Sequence, residues 1–137
     1  MQKQFDFKVL NITVWVAALG YFVDMYDLTL FGVVRTASLN ALGLTSAQET
    51  LQAGLFLYNI GMIGMMLGGL VWGVLADKKG RLSVMFGSIL IYSIGNILNA
   101  FVTDVNMYAV CRFFVGFGLA GELGAAITLV SESLPKE

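Results

Sequence analysis

Four long apolar stretches run through this chain, and they constrain its fold more than any other feature of the sequence. They cover residues 9–34, 51–76, 82–102 and 107–134, with ends that are approximate. A membrane-spanning helix needs about 20 predominantly apolar residues, so each stretch is long enough to cross a bilayer with some tilt. The stretches lack the alternation of polar and apolar residues that barrel strands show. The sequence therefore predicts an all-α membrane protein, with four transmembrane helices in a single unit over residues 1–137.

The composition excludes several other classes of protein. Of the 137 residues, 58% are apolar and 12% are charged, whereas soluble domains carry about 25% charged residues. A chain this short cannot bury so much apolar surface in one core. Its net charge of -1 leaves no basic excess for nucleic acid. Histidine is absent and Cys111 is the single cysteine, so we expect no enzymatic activity, no cofactor and no metal site.

The connections between the apolar stretches predict the topology. Residues 35–50 form a predicted polar loop, residues 77–81 a charged turn and residues 103–106 a second turn, and Pro135 ends the fourth helix. Cytoplasmic loops carry an excess of lysine and arginine. Six of the eight basic residues lie on the side that has both termini, namely Lys3, Lys8, Lys78, Lys79, Arg81 and Lys136. We therefore expect both termini to be cytoplasmic. We also expect the membrane to be the cytoplasmic (inner) membrane of a prokaryote.

Four ionisable residues lie deep inside the predicted spans, where charge is costly and by default marks a pathway or a pair. Asp24 and Asp27 share one face of the first helix, and Arg112 and Glu122 belong to the fourth. At 1.5 Å per residue, Asp27 is about 10 Å and Arg112 about 8 Å from the outer helix ends. These two side chains are predicted to form either a static ion pair or a proton-coupled site. Glu122 is expected to face a cavity or to pair with a further helix.

Glycines cluster in the second and fourth predicted helices. The chain has 16 of them, and small residues at intervals of about four let helix backbones approach closely. The glycines that we expect to form helix contacts are Gly61, Gly64, Gly68, Gly116, Gly118 and Gly121.

The connection between the second and third helices carries the most specific pattern in the chain. Residues 73–82 have the sequence Gly-Val-Leu-Ala-Asp-Lys-Lys-Gly-Arg-Leu. Gly80 permits a turn with positive φ, and Asp77 and Arg81 are predicted to pair across that turn. A simple cytoplasmic anchor would explain the lysines but not the whole pattern.

These patterns resemble the major facilitator superfamily. Residues 73–81 match its G-x-L-A-D-x-x-G-R motif between helices two and three, and only Leu82 departs, where the family has a base. Residues 112–121 are similar to the fourth-helix pattern R-x-x-x-G-x-G-x-x-G, and residues 132–135 to the E-x-x-P that closes that helix. Residues 24–27 resemble the D-x-Y-D of proton-coupled phosphate and organic-acid symporters.

The resemblance implies a fold and a set of residue roles. Family members have twelve helices in two halves around a central cavity, and this chain resembles the first four helices of the amino-terminal half. By that likeness, Asp24, Asp27, Arg112 and Glu122 line a proton and substrate pathway. The implied cytoplasmic gating cluster comprises Gly73, Asp77, Gly80, Arg81 and Glu132.

The expected function is that of the amino-terminal part of a secondary active transporter, which carries a small solute with protons by alternating access. Two alternatives stay open: a small non-transporting membrane module, and an oligomeric channel-like assembly packed through the glycine-rich faces. Because four helices are fewer than the resemblance implies, we expect a truncated piece, one chain of a split transporter or a small protein that oligomerises. The expected partners are the lipid bilayer, the solute, protons and further helices or chains, but no nucleic acid.

Overall fold

The computed structural model describes the backbone of residues 7–133. Within that range, the side chains of residues 7–11, 13, 16, 17, 129, 130 and 133 are outside the description. Lys3, Pro135 and Lys136, which entered the topology prediction, also lie outside the described residues. The described range forms four α-helices: α1 (Phe7–Ala41), α2 (Ala47–Lys79), α3 (Arg81–Asn99) and α4 (Val105–Ser133).

The helices confirm the predicted all-α membrane architecture. By length and apolar composition, α2, α3 and the Val105–Thr128 part of α4 can each cross a membrane. Large apolar side chains such as Leu70 and Phe86 are mostly exposed on the outside of the bundle, because a bilayer rather than a protein core solvates them. α1 is helical over 35 residues; that it also crosses the bilayer stays a prediction.

The helices extend beyond the apolar stretches from which they were predicted. α1 continues to Ala41 and α2 begins at Ala47, so the loop expected at residues 35–50 shrinks to residues 42–46. An apolar stretch marks the extent of the hydrocarbon, whereas a helix continues until a residue breaks it, and residues 35–41 contain neither Gly nor Pro. The break comes at Gly43, whose φ of +96° lies in the region that favours glycine.

A single residue, Gly80, separates α2 from α3. Its φ of +87° reverses the chain direction. Its N–H donates to the Ala76 carbonyl at 3.0 Å, and its carbonyl accepts from the Val84 N–H at 3.3 Å. Residues 77–79, which were predicted as part of the turn, instead form the last turn of α2. There the two lysines interact favourably with the negative end of the helix dipole.

α4 is the central helix of the described bundle, and it packs against α2, α3 and α1. Glycines bring α4 to within backbone contact of α2. A β-carbon at Gly64 would clash with the Phe113 carbonyl, and one at Gly68 with the Phe117 carbonyl. In the other direction, a β-carbon at Gly116 would clash with the Gly61 carbonyl. Two helices approach this closely only where no side chain separates them.

A groove in α4 also receives side chains from α2 and α3. A β-carbon at Gly121 would lie 2.7 Å from the Trp72 ring and 2.6 Å from the Ser88 β-carbon. The Trp72 indole N–H donates to the Phe117 carbonyl at 2.8 Å. A β-carbon at Gly118 would lie 2.7 Å from a backbone nitrogen of α3. Glycine on α4 therefore sets its distance from both neighbouring helices.

α1 is attached mainly near one end of the bundle, the end that carries the α1–α2 and α3–α4 connections, here called the outer end. Phe31 and Leu39 of α1 join Leu57, Tyr108 and Ala109 in a buried apolar cluster there. In the described residues the backbone of α1 lies close to those of α4 and α2 but not to that of α3, although the side chain of Tyr92 on α3 reaches Asp27 on α1. A space therefore opens between α1 and α3, above the surface of α4.

The α2–α4 contact predicts that alanine substitution at two neighbouring glycines has different effects on thermal stability. We expect Gly68→Ala to lower the midpoint of thermal unfolding in detergent, because overpacking typically costs about 1–3 kcal/mol. Gly69→Ala is the matched control, since a β-carbon there would meet nothing within 4 Å. It should leave the midpoint unchanged or raise it slightly, as alanine is the better helix former. Equal effects of the two substitutions would contradict backbone contact at Gly68.

Candidate functional site

The candidate site lies on the facing surfaces of α1 and α4. α1 supplies Asp24 and Asp27, and α4 supplies Arg112 and Glu122. Asp24 is buried, with 2% of its surface exposed, and the other three are half-buried. Asp24 lies within electrostatic range of both Asp27 and Glu122. The fold therefore gathers three carboxyl groups and one guanidinium along a single helix pair.

Arg112 makes a different contact from the predicted one. Its guanidinium carbon lies 3.9 Å from the centroid of the Phe31 ring and 5.6 Å from that of Tyr108. Among residues 7–133, the structure has no ion pair within 4.0 Å between Asp27 and Arg112. Phe31 lies one helical turn from Asp27 on the same face of α1, so the guanidinium meets the ring face where the carboxylate was expected. Such a cation–π contact contributes about 0.5–2 kcal/mol.

Asp27 and Arg112 nevertheless line the same two cavities. One is a narrow, mostly apolar pocket of about 40 Å³ on the α2 side, where Tyr58, Met62 and Met65 complete the lining. The other is a cavity of about 300 Å³ on the α3 side, which is richer in polar groups. The pair is therefore accessible from both flanks of the α1–α4 contact.

Glu122 faces α1. Its Oε1 lies 3.9 Å from where a β-carbon would be at Gly20, one helical turn from Asp24. The Oδ1 atom of Asp24 is buried and has no hydrogen-bond partner among the described residues. Within residues 7–133, the structure has no group of three His, Cys, Asp or Glu residues arranged to hold a metal ion.

At the end of the bundle that carries the α2–α3 connection, here called the inner end, Arg81 pairs with Glu132. The Arg81 Nε atom lies 2.9 Å from Glu132 Oε1, which joins the start of α3 to the end of α4. The predicted pair between Asp77 and Arg81 is not formed within 4.0 Å in the described part of the chain. The reason is that Asp77 belongs to α2 rather than to the turn. Both side chains still line one cavity of about 260 Å³, between α2, α3 and α4.

This inner cavity is lined largely by small residues. A β-carbon at Gly69, Gly73 or Gly124 would meet nothing within 4 Å. The groove is therefore open along one side, with Asp77 and the Arg81–Glu132 pair at its charged end.

The sequence model of the Major Facilitator Superfamily matches residues 17–137 of this chain. That match covers α2, α3 and α4 and most of α1. The chain belongs to this superfamily. This match confirms the resemblance to the superfamily that the sequence motifs indicated.

Individual superfamily members show the same relationship. The niacin transporter of Acinetobacter baylyi is 37% identical over 121 residues, which is 88% of this chain and 26% of that protein. The sialic acid transporter of Escherichia coli is 38% identical over 120 residues, 88% of this chain and 28% of that protein. The benzoate transport protein of A. baylyi is 34% identical over 119 residues, 83% of this chain and 24% of that protein. The chain thus spans about a quarter of the length of these relatives. No solved structure matches it.

Several residues of the site were missed from the sequence. Phe31 and Tyr108, which contact Arg112, look like ordinary apolar residues of a span. On α3, Tyr92, Asn96 and Asn99 recur at intervals of four and three residues, which places them on one helix face. Tyr92 is close enough to Asp27 and Asn96 to interact with both. The helical spacing of these polar residues was a signal that could have identified the face.

The contact between Arg112 and Phe31 predicts energetic coupling between the two residues. A double-mutant cycle with Arg112→Gln and Phe31→Leu, read from thermal unfolding, should give a coupling free energy of about 0.5–2 kcal/mol. The control cycle combines Arg112→Gln with Phe86→Leu, because Phe86 is exposed on the outside of the bundle near the start of α3. That cycle should give coupling near zero. No difference between the cycles would show that the ring does not hold the guanidinium.

Proposed function

We propose that this chain forms the amino-terminal part of a secondary active transporter that moves a small organic acid together with protons by alternating access. Membership of the superfamily supports the transporter class. The chain spans about a quarter of its curated relatives' length, with 26% and 28% coverage of two of them, and we propose that further helices complete the pathway. The observation that carries the proposal is the position of Asp27 and Arg112 on two cavities between the same helices.

Asp27 is proposed as the proton carrier. Its carboxylate is not held in a direct ion pair with Arg112, so it can gain and lose a proton without breaking one. Arg112 lines both of the cavities that Asp27 lines. A solute anion that engages Arg112 would therefore lie beside Asp27, and we propose that a proton on Asp27 compensates the charge of the anion. Proton uptake and anion binding would thereby be coupled.

Arg112 is proposed as the anchor for the solute. Its Nε is buried and has no hydrogen-bond partner among the described residues. A guanidinium forms short, charge-assisted hydrogen bonds with carboxylates. The three relatives named above are a niacin, a sialic acid and a benzoate transporter, and each of those solutes is an organic acid. Carboxylate chemistry is therefore the solute class that we propose for this site.

The charged residues at the inner end of the bundle, Asp77, Arg81 and Glu132, are proposed to act as a gate. The Arg81–Glu132 pair fastens the end of α4 to the start of α3. Beside it, the groove at Gly73 is open, and we propose that a further helix of the complete transporter packs there. Asp77, at the charged end of that groove, would favour the positive end of such a helix. With Lys78, Lys79 and Arg81 at this end, we propose that it faces the cytoplasm of a prokaryotic cell, as both termini would.

Removing the charge of Asp27 tests the proton role. In liposomes with the complete transporter, we expect Asp27→Asn to abolish solute uptake driven by an imposed proton gradient, because an amide cannot take up the proton. Solute exchange without a gradient should persist. Glu49→Gln is the control, as Glu49 is an exposed acid in the first turn of α2. Gradient-driven uptake at the wild-type rate in Asp27→Asn would remove Asp27 from the proton pathway.

Charge reversal tests the proposed gate. Arg81→Glu and Glu132→Arg should each reduce uptake, because each places two like charges where an ion pair now lies. The double variant restores an opposite pair and should recover part of the uptake. Lys79→Glu, an exposed reversal in the adjacent turn, should have little effect. Additive losses in the double variant would show that the pair itself has no role in transport.

A further inference from the structure

Asp27 and Arg112 line the same two cavities but do not pair with each other. Within residues 7–133 no ion pair joins them within 4.0 Å, although a carboxylate and a guanidinium form strong charge-assisted hydrogen bonds when they meet. Arg112 is held elsewhere, because its guanidinium carbon lies 3.9 Å from the centroid of the Phe31 ring. Asp27 therefore needs a contact of its own that keeps its carboxylate from Arg112.

Tyr92 of α3 is a side chain that reaches Asp27 from outside the α1–α4 pair. It is half-buried and lies close enough to Asp27 and Asn96 to interact with both. An ionised carboxylate only accepts hydrogen bonds, whereas a tyrosine hydroxyl can donate one and accept another. Asn96 lies one helical turn from Tyr92 towards the outer end of α3, and its amide can donate to the hydroxyl oxygen. The three side chains therefore have matching donors and acceptors, in the order Asn96, Tyr92, Asp27.

The contact between α3 and α4 brings Tyr92 within reach of α1. A β-carbon at Gly118 of α4 would lie 2.7 Å from the Tyr92 nitrogen and 2.9 Å from its α-carbon. One turn outward on α3, a β-carbon at Gly95 would lie 2.9 Å from the Val115 side chain of α4. Among the described residues the backbones of α1 and α3 are not close to each other, so the tyrosine side chain has to cross the surface of α4. It can do so because no side chain at Gly118 pushes the α3 backbone away.

We propose that Tyr92 is a positioning residue, whose hydroxyl donates a hydrogen bond to the Asp27 carboxylate and holds it away from Arg112. The guanidinium is thereby left free for the carboxylate of a solute. This inference rests on the proposed function, in which Arg112 anchors an organic acid. The charged and titratable groups near Asp27 are Arg112 on α4, Tyr92 on α3 and Asp24 on α1. Without the hydroxyl, the Asp27 carboxylate would turn to Arg112 and compete with the solute for it.

Solute binding tests this role in the complete transporter, purified in detergent at about pH 8, where an ordinary carboxyl group is ionised. The probes are radiolabelled nicotinate, benzoate and sialic acid. We expect Tyr92→Phe to raise the Kd at least about tenfold, because the probe then has to displace Asp27 from Arg112. In an Asp27→Asn background, Tyr92→Phe should change the Kd by less than about twofold, because an amide has no charge with which to compete.

The comparison of the two backgrounds separates positioning from a purely structural role. If Tyr92→Phe only disturbed packing, a second change at residue 27 would not restore binding. Ser93→Ala is the matched control, because it also removes a hydroxyl from α3, at an exposed position beside Tyr92. It should leave the Kd unchanged. An unchanged Kd in Tyr92→Phe, or an equal increase in both backgrounds, would overturn the positioning role.

The proposed function would fail by different results. A wild-type transporter that binds none of the three probes, or an Arg112→Gln variant that binds them as tightly as the wild type, would overturn the organic-acid site itself.

Thermal unfolding in detergent tests the contact between Tyr92 and Asp27 without any solute. Tyr92→Phe should lower the Tm by about 1–3 °C while Asp27 is present, because a hydrogen bond to a charged group is lost. In an Asp27→Leu background, the same substitution should have less than about half of that effect. Equal shifts of the Tm in the two backgrounds would contradict the hydrogen bond and overturn the proposal, whatever solute the transporter carries.

Discussion

The backbone contact between α4 and α2 is the interaction on which the rest of the structure depends. In a bilayer, apolar surface alone does not hold helices together, because lipid solvates it as well as protein does. Close packing has to supply the attraction, and glycine makes it possible at Gly64, Gly68 and Gly116. This contact also orients α4. With the carbonyls of Phe113 and Phe117 against α2, the Arg112 side chain projects towards α1, where Phe31 receives it.

α1 packs less extensively on α4 than α2 and α3 do. α4 uses its glycine-rich faces on α2 and α3, and α1 is held chiefly by the apolar cluster around Phe31, Leu39 and Leu57. Further inward, charged side chains of α1 and α4 face each other instead of apolar ones. The helix pair is therefore flanked by an apolar pocket towards α2 and a polar cavity towards α3. Asp27 and Arg112 line both, and the proposed coupling of proton uptake to anion binding rests on that position.

Much of the fold could be predicted from the sequence, and rather less of the site. The number, order and type of the helices follow from continuous apolar stretches, which are local signals. The helix ends were less accurate, because hydropathy marks the hydrocarbon boundary while helix breakers such as Gly43 and Gly80 mark the chain reversal. The predicted Asp27–Arg112 pair rested on matching depth along two helices, and the predicted Asp77–Arg81 pair on a turn between α2 and α3. Asp27 and Arg112 line the same cavities without pairing, and Arg81 pairs with Glu132 instead of Asp77. Which side chains meet depends on how each helix is rotated about its own axis. The position of a residue along its helix does not fix that rotation.

The sequence by itself determined that this chain is a membrane protein of the Major Facilitator Superfamily, and which of its residues are too costly to face lipid. Composition, apolar length and motif spacing carry that information, because they do not depend on how the helices are placed. Only the tertiary structure decided which groups meet: the Arg112 guanidinium on the Phe31 ring, Glu122 beside Gly20, and the polar face of α3 on the cavity at Asp27. The physical reason is that glycine contacts set the rotation of each helix about its axis, and a rotation of one residue, about 100°, changes every neighbour of a side chain.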